Sequence, residues 1–165
     1  MILITGGVKS GKSSFALELA KNYQKKAFLA TGVPFDDEMK IRIEKHKNER
    51  GNEFDTYEEP LEVARILIEI SDNYDVIVFD CLTTYLGNLY YYNVDVESYI
   101  DNLIDTISKL QTQLILITNE VGLGIIPENK LARLYMETLG RTNTKLARIA
   151  QEVYLMVSGI GVRIK

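Results

Sequence analysis

The stretch Met1-Ile-Leu-Ile-Thr5 followed by Gly6-Gly-Val-Lys-Ser-Gly11-Lys12-Ser13 decides the fold. Five apolar or β-branched residues read as a buried strand, and the segment after them satisfies G-x-x-x-x-G-K-[ST] in full. The run from Ser13 to Tyr23 then reads as a helix. Strand, glycine-rich loop and helix in that order are the context that gives the motif its meaning. Gly6, Gly7 and Gly11 let the backbone fold tightly, so that the N–H groups of Val8, Lys9 and Ser10 aim at phosphate oxygens at the positive end of a helix. Lys12 would neutralise the β and γ phosphates, and the Ser13 hydroxyl would ligate Mg²⁺. The alternative is a glycine-rich turn that meets the pattern by chance.

Working outward, short apolar runs alternate with helical periods. Strands are expected at Ala27–Thr31, Asp75–Asp80, Leu114–Thr118 and Val153–Ser158. Helices are expected over 37–50, from Leu61 to Ile70 behind Pro60, from Val96 to Leu110 and from Leu131 to Ala150. Such alternation implies βαβ units, hence an α/β fold with a mostly parallel central sheet flanked by helices. No repeat, low-complexity tract or linker interrupts the 165 residues, so a single domain over 1–165 is expected.

Composition narrows the function classes. Hydrophobic residues make up 46% and charged residues 25%, which excludes a disordered or fibrous chain. The 19 Lys and Arg stand against 23 Asp and Glu, a net charge of -4 that carries no general footprint for nucleic acid. Cys81 is the one cysteine and His46 the one histidine, so neither an intrachain disulfide nor a Cys- or His-based metal cluster can form. No apolar run approaches the roughly 20 residues that span a bilayer, and the first residues lack a basic, signal-like region. A cytoplasmic location is therefore expected.

Three further places carry chemistry. Asp80 ends Val76-Ile-Val-Phe-Asp80, where a carboxylate at a central strand's C-terminal end would sit beside the phosphate loop and hold Mg²⁺. Capping the next helix is its other reading, a task Thr83 or Thr84 would also suit. His46 lies between Arg42 and Arg50, each four residues away, so one helical stripe would carry an imidazole flanked by guanidiniums. That stripe suits a triphosphate, and a neutral imidazole can attack phosphorus. A solvated charged helix with an incidental histidine is the plainer account of the spacing. Finally, Thr118-Asn-Glu-Val-Gly122-Leu-Gly124-Ile-Ile-Pro127 follows a strand, which would turn Asn119 and Glu120 toward the crevice that holds Asp80. Pro127 suits the first turn of the next helix, and Arg133 and Arg141 on that helix could reach a phosphate or a neighbouring subunit. Ordinary connector chemistry is the competing account.

Taken together, Ile4 to Ser13, Asp37-Glu-Met39, Arg42-Ile-Glu-Lys-His-Lys47, Thr118 to Asn129, Leu131-Ala-Arg133, Gly140-Arg141 and Val157-Ser-Gly-Ile-Gly161 resemble one family. It is the bifunctional adenosylcobinamide kinase / adenosylcobinamide-phosphate guanylyltransferase family of cobalamin biosynthesis, and the resemblance runs end to end. It implies a RecA-like phosphate-loop fold, a homotrimer, and two reactions. Adenosylcobinamide is phosphorylated with ATP or GTP, and GMP then passes from GTP to adenosylcobinamide phosphate through a GMP–histidine intermediate. His46 stands at the family's nucleophile position. Nucleotide contacts would map to Gly6–Ser13, Ala30, Thr31, Gly32, Lys47, Asn48, Glu49, Arg50, Glu58 and Asp80, with Ser13 and Asp80 on the metal. Asp80 stands where some members carry Glu, which keeps the carboxylate and shortens its reach. A single-step small-molecule kinase and a RecA-like nucleotide switch are the competing readings.

Overall fold

In the computed structural model, residues 1–33 and 53–165 are described. The expected helix over 37–50, with His46, Lys47, Asn48, Glu49 and Arg50, lies outside them.

The central strands form where nearly every residue is apolar, because both faces of a parallel sheet are covered. These are β1 (Ile2–Gly6), β4 (Val76–Asp80) and β5 (Gln113–Ile117). Strands β2 (Lys26–Ala30), β3 (Asp55–Glu58), β6 (Glu152–Val157) and β7 (Ile160–Arg163) extend the sheet in the order β3-β2-β4-β5-β1-β6-β7. All neighbouring pairs are parallel except β6 with β7. The fold is thus the α/β, mostly parallel arrangement expected.

Alternation along the strands sorts the core onto two faces. Ile4, Ile115, Ile117, Val76, Val78, Phe28 and Met156 pack with Ala16 and Ala20 of helix α1 (Lys12–Ala20). Leu3, Leu114, Leu116, Ile77 and Phe79 face the other way. They meet α2 (Val63–Ile70), α3 (Leu82–Tyr91), α4 (Val96–Lys109) and α5 (Lys130–Ile149), which supply Leu67, Leu86, Leu103 and Leu139. Among the described residues no helix is long and apolar enough to cross a membrane.

Three elements are additions to the sequence expectation. Helix α3 is apolar at Leu82, Tyr85, Leu86 and Leu89, a helical spacing hidden among threonines and tyrosines. Strand β3 reads Asp-Thr-Tyr-Glu and is mostly exposed, so it lacked an apolar signature. Strand β7 returns from β6 through Ser158 and Gly159, whose φ of 51° and 84° suit a tight hairpin turn. Two helix starts are corrected. Helix α2 begins at Val63, not at Leu61, because the Glu59 carboxylate accepts from the N–H groups of Leu61 and Glu62 at 2.9 Å each. Helix α5 begins after Asn129, whose Oδ1 accepts from Ala132 N at 3.0 Å, so Pro127 lies before the helix.

The tyrosine run is absorbed into packing at one residue. Tyr90 lies against Tyr135 with ring centroids 6.1 Å apart, and its hydroxyl pairs with Thr138 at 3.0 Å. Tyr91 and Tyr92 stack edge to face on the exposed end of α3.

One buried amide ties the loops at the C-terminal ends of β2 and β3 to α3. Asn88 donates from Nδ2 to Thr31 O at 2.8 Å and to Pro60 O at 3.1 Å. Asn88→Ala leaves both carbonyls without that donor, so stability falls by about 2–4 kcal/mol. Urea denaturation measures it, and a loss under about 0.5 kcal/mol would contradict the assignment.

Candidate functional site

The strand register brings the candidate residues into one row. Ile4 pairs with Ile117, Ile117 with Asp80, Asp80 with Ala30, and Ala30 with Glu58. Neighbouring strands lie about 4.8 Å apart, so Glu58 sits roughly 10 Å from Asp80 along the sheet's C-terminal edge. Parallel strands therefore deliver residues far apart in sequence to one line, with the phosphate loop rising from the end of β1.

The loop's shape follows from its glycines at two positions. Gly6 has φ 148°, and a Cβ there would approach Met156 O to 2.5 Å. Gly11 has φ 93°, caps α1, and would bring a Cβ within 3.3 Å of Gly159 Cα. Lys9 also takes a left-handed conformation, at φ 55°, and Val8 is exposed at the tip. Ser10 N donates to Gly7 O at 3.4 Å, and Phe15 N to Gly11 O at 3.0 Å, which starts the helix. No side chain caps α1, so its first N–H groups remain available to an anion. The buried Ser10 Oγ has no hydrogen-bond partner among the described residues. Lys12 is folded under the loop, with Nζ donating to Gly7 O at 2.6 Å.

Ser13, in the first turn of α1, donates from Oγ to Asp80 Oδ2 at 2.9 Å. The carboxylate thus turns toward α1 and does not cap α3. That cap belongs to Cys81, whose Sγ accepts from Thr84 N at 3.4 Å. Burial pushes the Cys81 thiol up, and the neighbouring Asp80 charge adds to the shift, so the thiol stays protonated in its cap. A hydroxyl and a carboxylate side by side are hard oxygen donors, and Mg²⁺ commonly takes one or two protein oxygens with the rest from phosphate and water. Ser13 and Asp80 fit that demand. Among the described residues no cluster of three His, Cys, Asp or Glu offers a rival metal site.

Around Asp80 the backbone is held by Thr31. Thr31 N donates to Asp80 O at 3.2 Å, its hydroxyl donates to Cys81 O at 2.9 Å, and Cys81 N donates to that hydroxyl at 3.1 Å. Ala30 and Thr31 accordingly stand next to Asp80 on the sheet edge, and Gly32 follows Thr31 in the chain. Asn119 and Glu120 also come to this edge, since Glu120 N donates to Gly6 O at 3.1 Å. Arg133 and Arg141 do not. Arg133 donates to Pro127 O and Glu128 O at 3.0 and 2.6 Å, and Arg141 pairs with Glu97 at 3.0 Å on the exposed surface.

A brace on the loop escaped the sequence reading. The β6–β7 turn donates from Gly159 N to Ser10 O at 3.1 Å, so the hairpin tip buttresses the phosphate loop. The Ser158-Gly159 dipeptide is a hairpin signal that could have found the turn, though not its contact.

With this geometry in view, comparison with known proteins is informative. The family model for "Cobinamide kinase / cobinamide phosphate guanyltransferase" matches residues 2–164. The chain belongs to that enzyme family. It is 38% identical over 181 residues to the bifunctional adenosylcobalamin biosynthesis protein CobU of Escherichia coli (strain K12), covering 100% of this chain and 99% of the relative. It is 33% identical over 168 residues to the bifunctional adenosylcobalamin biosynthesis protein CobP of Pseudomonas aeruginosa, covering 99% and 96%. Among solved structures, a prototypical ATPase from the type III secretion system of pathogenic bacteria superposes with a TM-score of 0.59 at 12% identity. That match covers 94% of this chain and 50% of the other, and it shows the RecA-like phosphate-loop fold alone.

Replacing the Asp80 carboxylate by an amide keeps its size and removes the charge a hard cation prefers. Asp80→Asn is expected to weaken GTP binding at least tenfold (an order-of-magnitude figure) with Mg²⁺ present and little in its absence. Titration of labelled GTP under both conditions checks this, and equal losses would assign Asp80 a structural role.

Proposed function

We propose that this chain phosphorylates the aminopropanol hydroxyl of adenosylcobinamide with ATP or GTP and then transfers GMP from GTP to adenosylcobinamide phosphate. The product is adenosylcobinamide-GDP, the activated form needed for nucleotide-loop assembly in cobalamin. The observation that carries the reading is the Ser13–Asp80 contact at 2.9 Å beneath an uncapped helix start, with Lys12 folded against the loop. Membership in the kinase / guanyltransferase family supplies the acceptor.

The chemistry is positioning and charge stabilisation. Loop N–H groups and Lys12 hold the phosphate chain, and Lys12 stabilises charge that develops on the transferring phosphoryl group. Ser13 and Asp80 would hold Mg²⁺, which when bound screens the phosphate charges. The acceptor hydroxyl attacks the γ-phosphorus, its proton passes to water, the bond to the β-phosphate oxygen breaks, and the nucleoside diphosphate leaves. In the second reaction a neutral nitrogen of His46 attacks the α-phosphorus of GTP and pyrophosphate leaves. Lys47 and Arg50 offset the charge on that leaving group. A phosphate oxygen of adenosylcobinamide phosphate then attacks the same phosphorus, and His46 is released. Guanine-nucleotide contacts fall to Gly6–Ser13, Ala30–Gly32, Lys47, Asn48, Glu49, Arg50, Glu58 and Asp80. One phosphate-loop domain over 1–165, a homotrimer and a cytoplasmic location complete the reading.

The covalent step sets the test. Incubation with GTP and Mg²⁺ should add one GMP to the chain, as a phosphoramidate lost in acid and stable in base. His46→Ala should abolish the adduct and the guanylyl transfer, since no other imidazole exists in the chain. Intact-protein mass spectrometry reads both. An unmodified wild-type mass, or an adduct that persists in His46→Ala, would reduce the assignment to a single-step kinase.

A further inference from the structure

Between β5 and α5 the chain runs over Val121-Gly-Leu-Gly-Ile-Ile126, a segment without a charged or polar side chain. Both of its ends are anchored. At its start, Glu120 N donates to Gly6 O, the first glycine of the phosphate loop, at 3.1 Å. Val121 then packs against the core on the α2–α5 face. At its end, Arg133 in the first turn of α5 donates to Pro127 O at 3.0 Å and to Glu128 O at 2.6 Å. Between these anchors the side chains leave the core: Leu123 is 82% exposed, Ile125 94% and Ile126 69%. Leu131 and Leu134, three apart and thus on one stripe at the start of α5, are exposed as well. Single apolar residues at a surface need no explanation, but a cluster on an anchored loop does.

The glycines are a second observation. Gly122 and Gly124 both lie outside the left-handed region of φ, and among the described residues a Cβ built on either meets no atom within 4 Å. Neither the backbone conformation nor internal packing calls for glycine there, in contrast to Gly6 and Gly11. A bare backbone flanked by large exposed apolar side chains is a surface for close approach from outside the chain.

Position selects the occupant. The segment leaves the C-terminal edge of the sheet hydrogen-bonded to the residue where the phosphate loop begins. In phosphoryl transfer the acceptor approaches the γ-phosphorus from the side away from the leaving diphosphate, so the molecule that carries the acceptor hydroxyl also lies at this edge. Adenosylcobinamide carries that hydroxyl on an arm of a broad macrocycle with methyl-studded faces and an amide rim. Exposed Leu and Ile beside bare glycine backbone suit such a face, whereas a small polar acceptor would gain nothing from them.

We propose that Val121–Ile126 is the docking surface for the macrocycle of the corrinoid acceptor. Leu123, Ile125 and Ile126 are its apolar anchors, and Gly122 and Gly124 keep the backbone bare for the ring. This rests on the corrinoid reading above. The bond from Glu120 N to Gly6 O then mounts the acceptor surface directly on the phosphate loop.

The test measures steady-state phosphorylation of adenosylcobinamide with GTP and Mg²⁺ for the full chain and for Leu123→Ser, Ile125→Ser and Gly124→Val. GTP affinity and the mass in solution are measured on the same samples. Removing one apolar anchor raises the KM for adenosylcobinamide about tenfold or more. The kcat and the dissociation constant for GTP stay within about twofold, because the lost contact is made equally before and during the reaction. Gly124→Val fills the space reserved for the ring and should raise the same KM, again with GTP binding intact. An unchanged KM in all three variants, or a KM rise matched by an equal loss of GTP affinity, would overturn the proposal and leave the corrinoid kinase standing. A KM rise that accompanies a fall in oligomeric mass would also overturn it, by assigning the surface to a second copy of the chain. A wild-type chain that binds GTP and phosphorylates no corrinoid would overturn the functional reading as well.

Discussion

The hydrogen bond from Ser13 to Asp80 joins residues 67 positions apart and holds the site together. One partner belongs to the first turn of α1, the other to the last residue of β4, and strand β5 separates β4 from β1. The contact exists only if the sheet places β5 in that gap and α1 returns over it. Sheet order, register and the direction of α1 are therefore all expressed in a single 2.9 Å distance. An exposed pair of this kind would contribute little. Here the hydroxyl and carboxylate lie at the positive end of a helix whose N–H groups have no internal partner, so their alignment serves an incoming anion and its counter-ion.

Support for that edge comes from both faces of the sheet. On one, the hairpin turn at Gly159 holds the phosphate loop by its Ser10 carbonyl. On the other, Asn88 and Asn143 act as buried amide clamps on the backbone that follows β2 and β5. Each clamp holds backbone just beyond a strand end, so the site gains rigidity where loops ordinarily lack it. The functional side chains then project from positions that packing has already fixed.

Much of this was legible in the sequence because the informative residues are local. Met1–Ile4, Val76–Phe79 and Leu114–Ile117 are apolar without interruption, as strands buried on both faces must be, and the glycine-rich loop follows shortly after the first of them. Asp80 could be placed at a strand end from its neighbours alone. Other parts had no local signature. Strand β3 is polar and half outside the core, held by pairing to β2 rather than by its own side chains. Helix α3 did have a 3.6-residue pattern in Leu82, Tyr85, Leu86 and Leu89, but its threonines, glycine and tyrosines masked it. That Cys81, not Thr83, caps this helix, and that Arg141 turns to Glu97, are matters of tertiary geometry that spacing does not encode.

The central claim is that a nucleoside triphosphate lies on the β1–α1 loop and reaches the Ser13–Asp80 pair. Backbone amide NMR of the ¹⁵N-labelled chain, titrated with GTP and Mg²⁺, addresses it directly. The account requires the largest shifts at the N–H groups of the loop and first helical turn, Gly7 through Ser13, with smaller ones at Asp80 and its neighbours. Saturable binding that leaves the Gly7–Ser13 amides unmoved while others shift would contradict it.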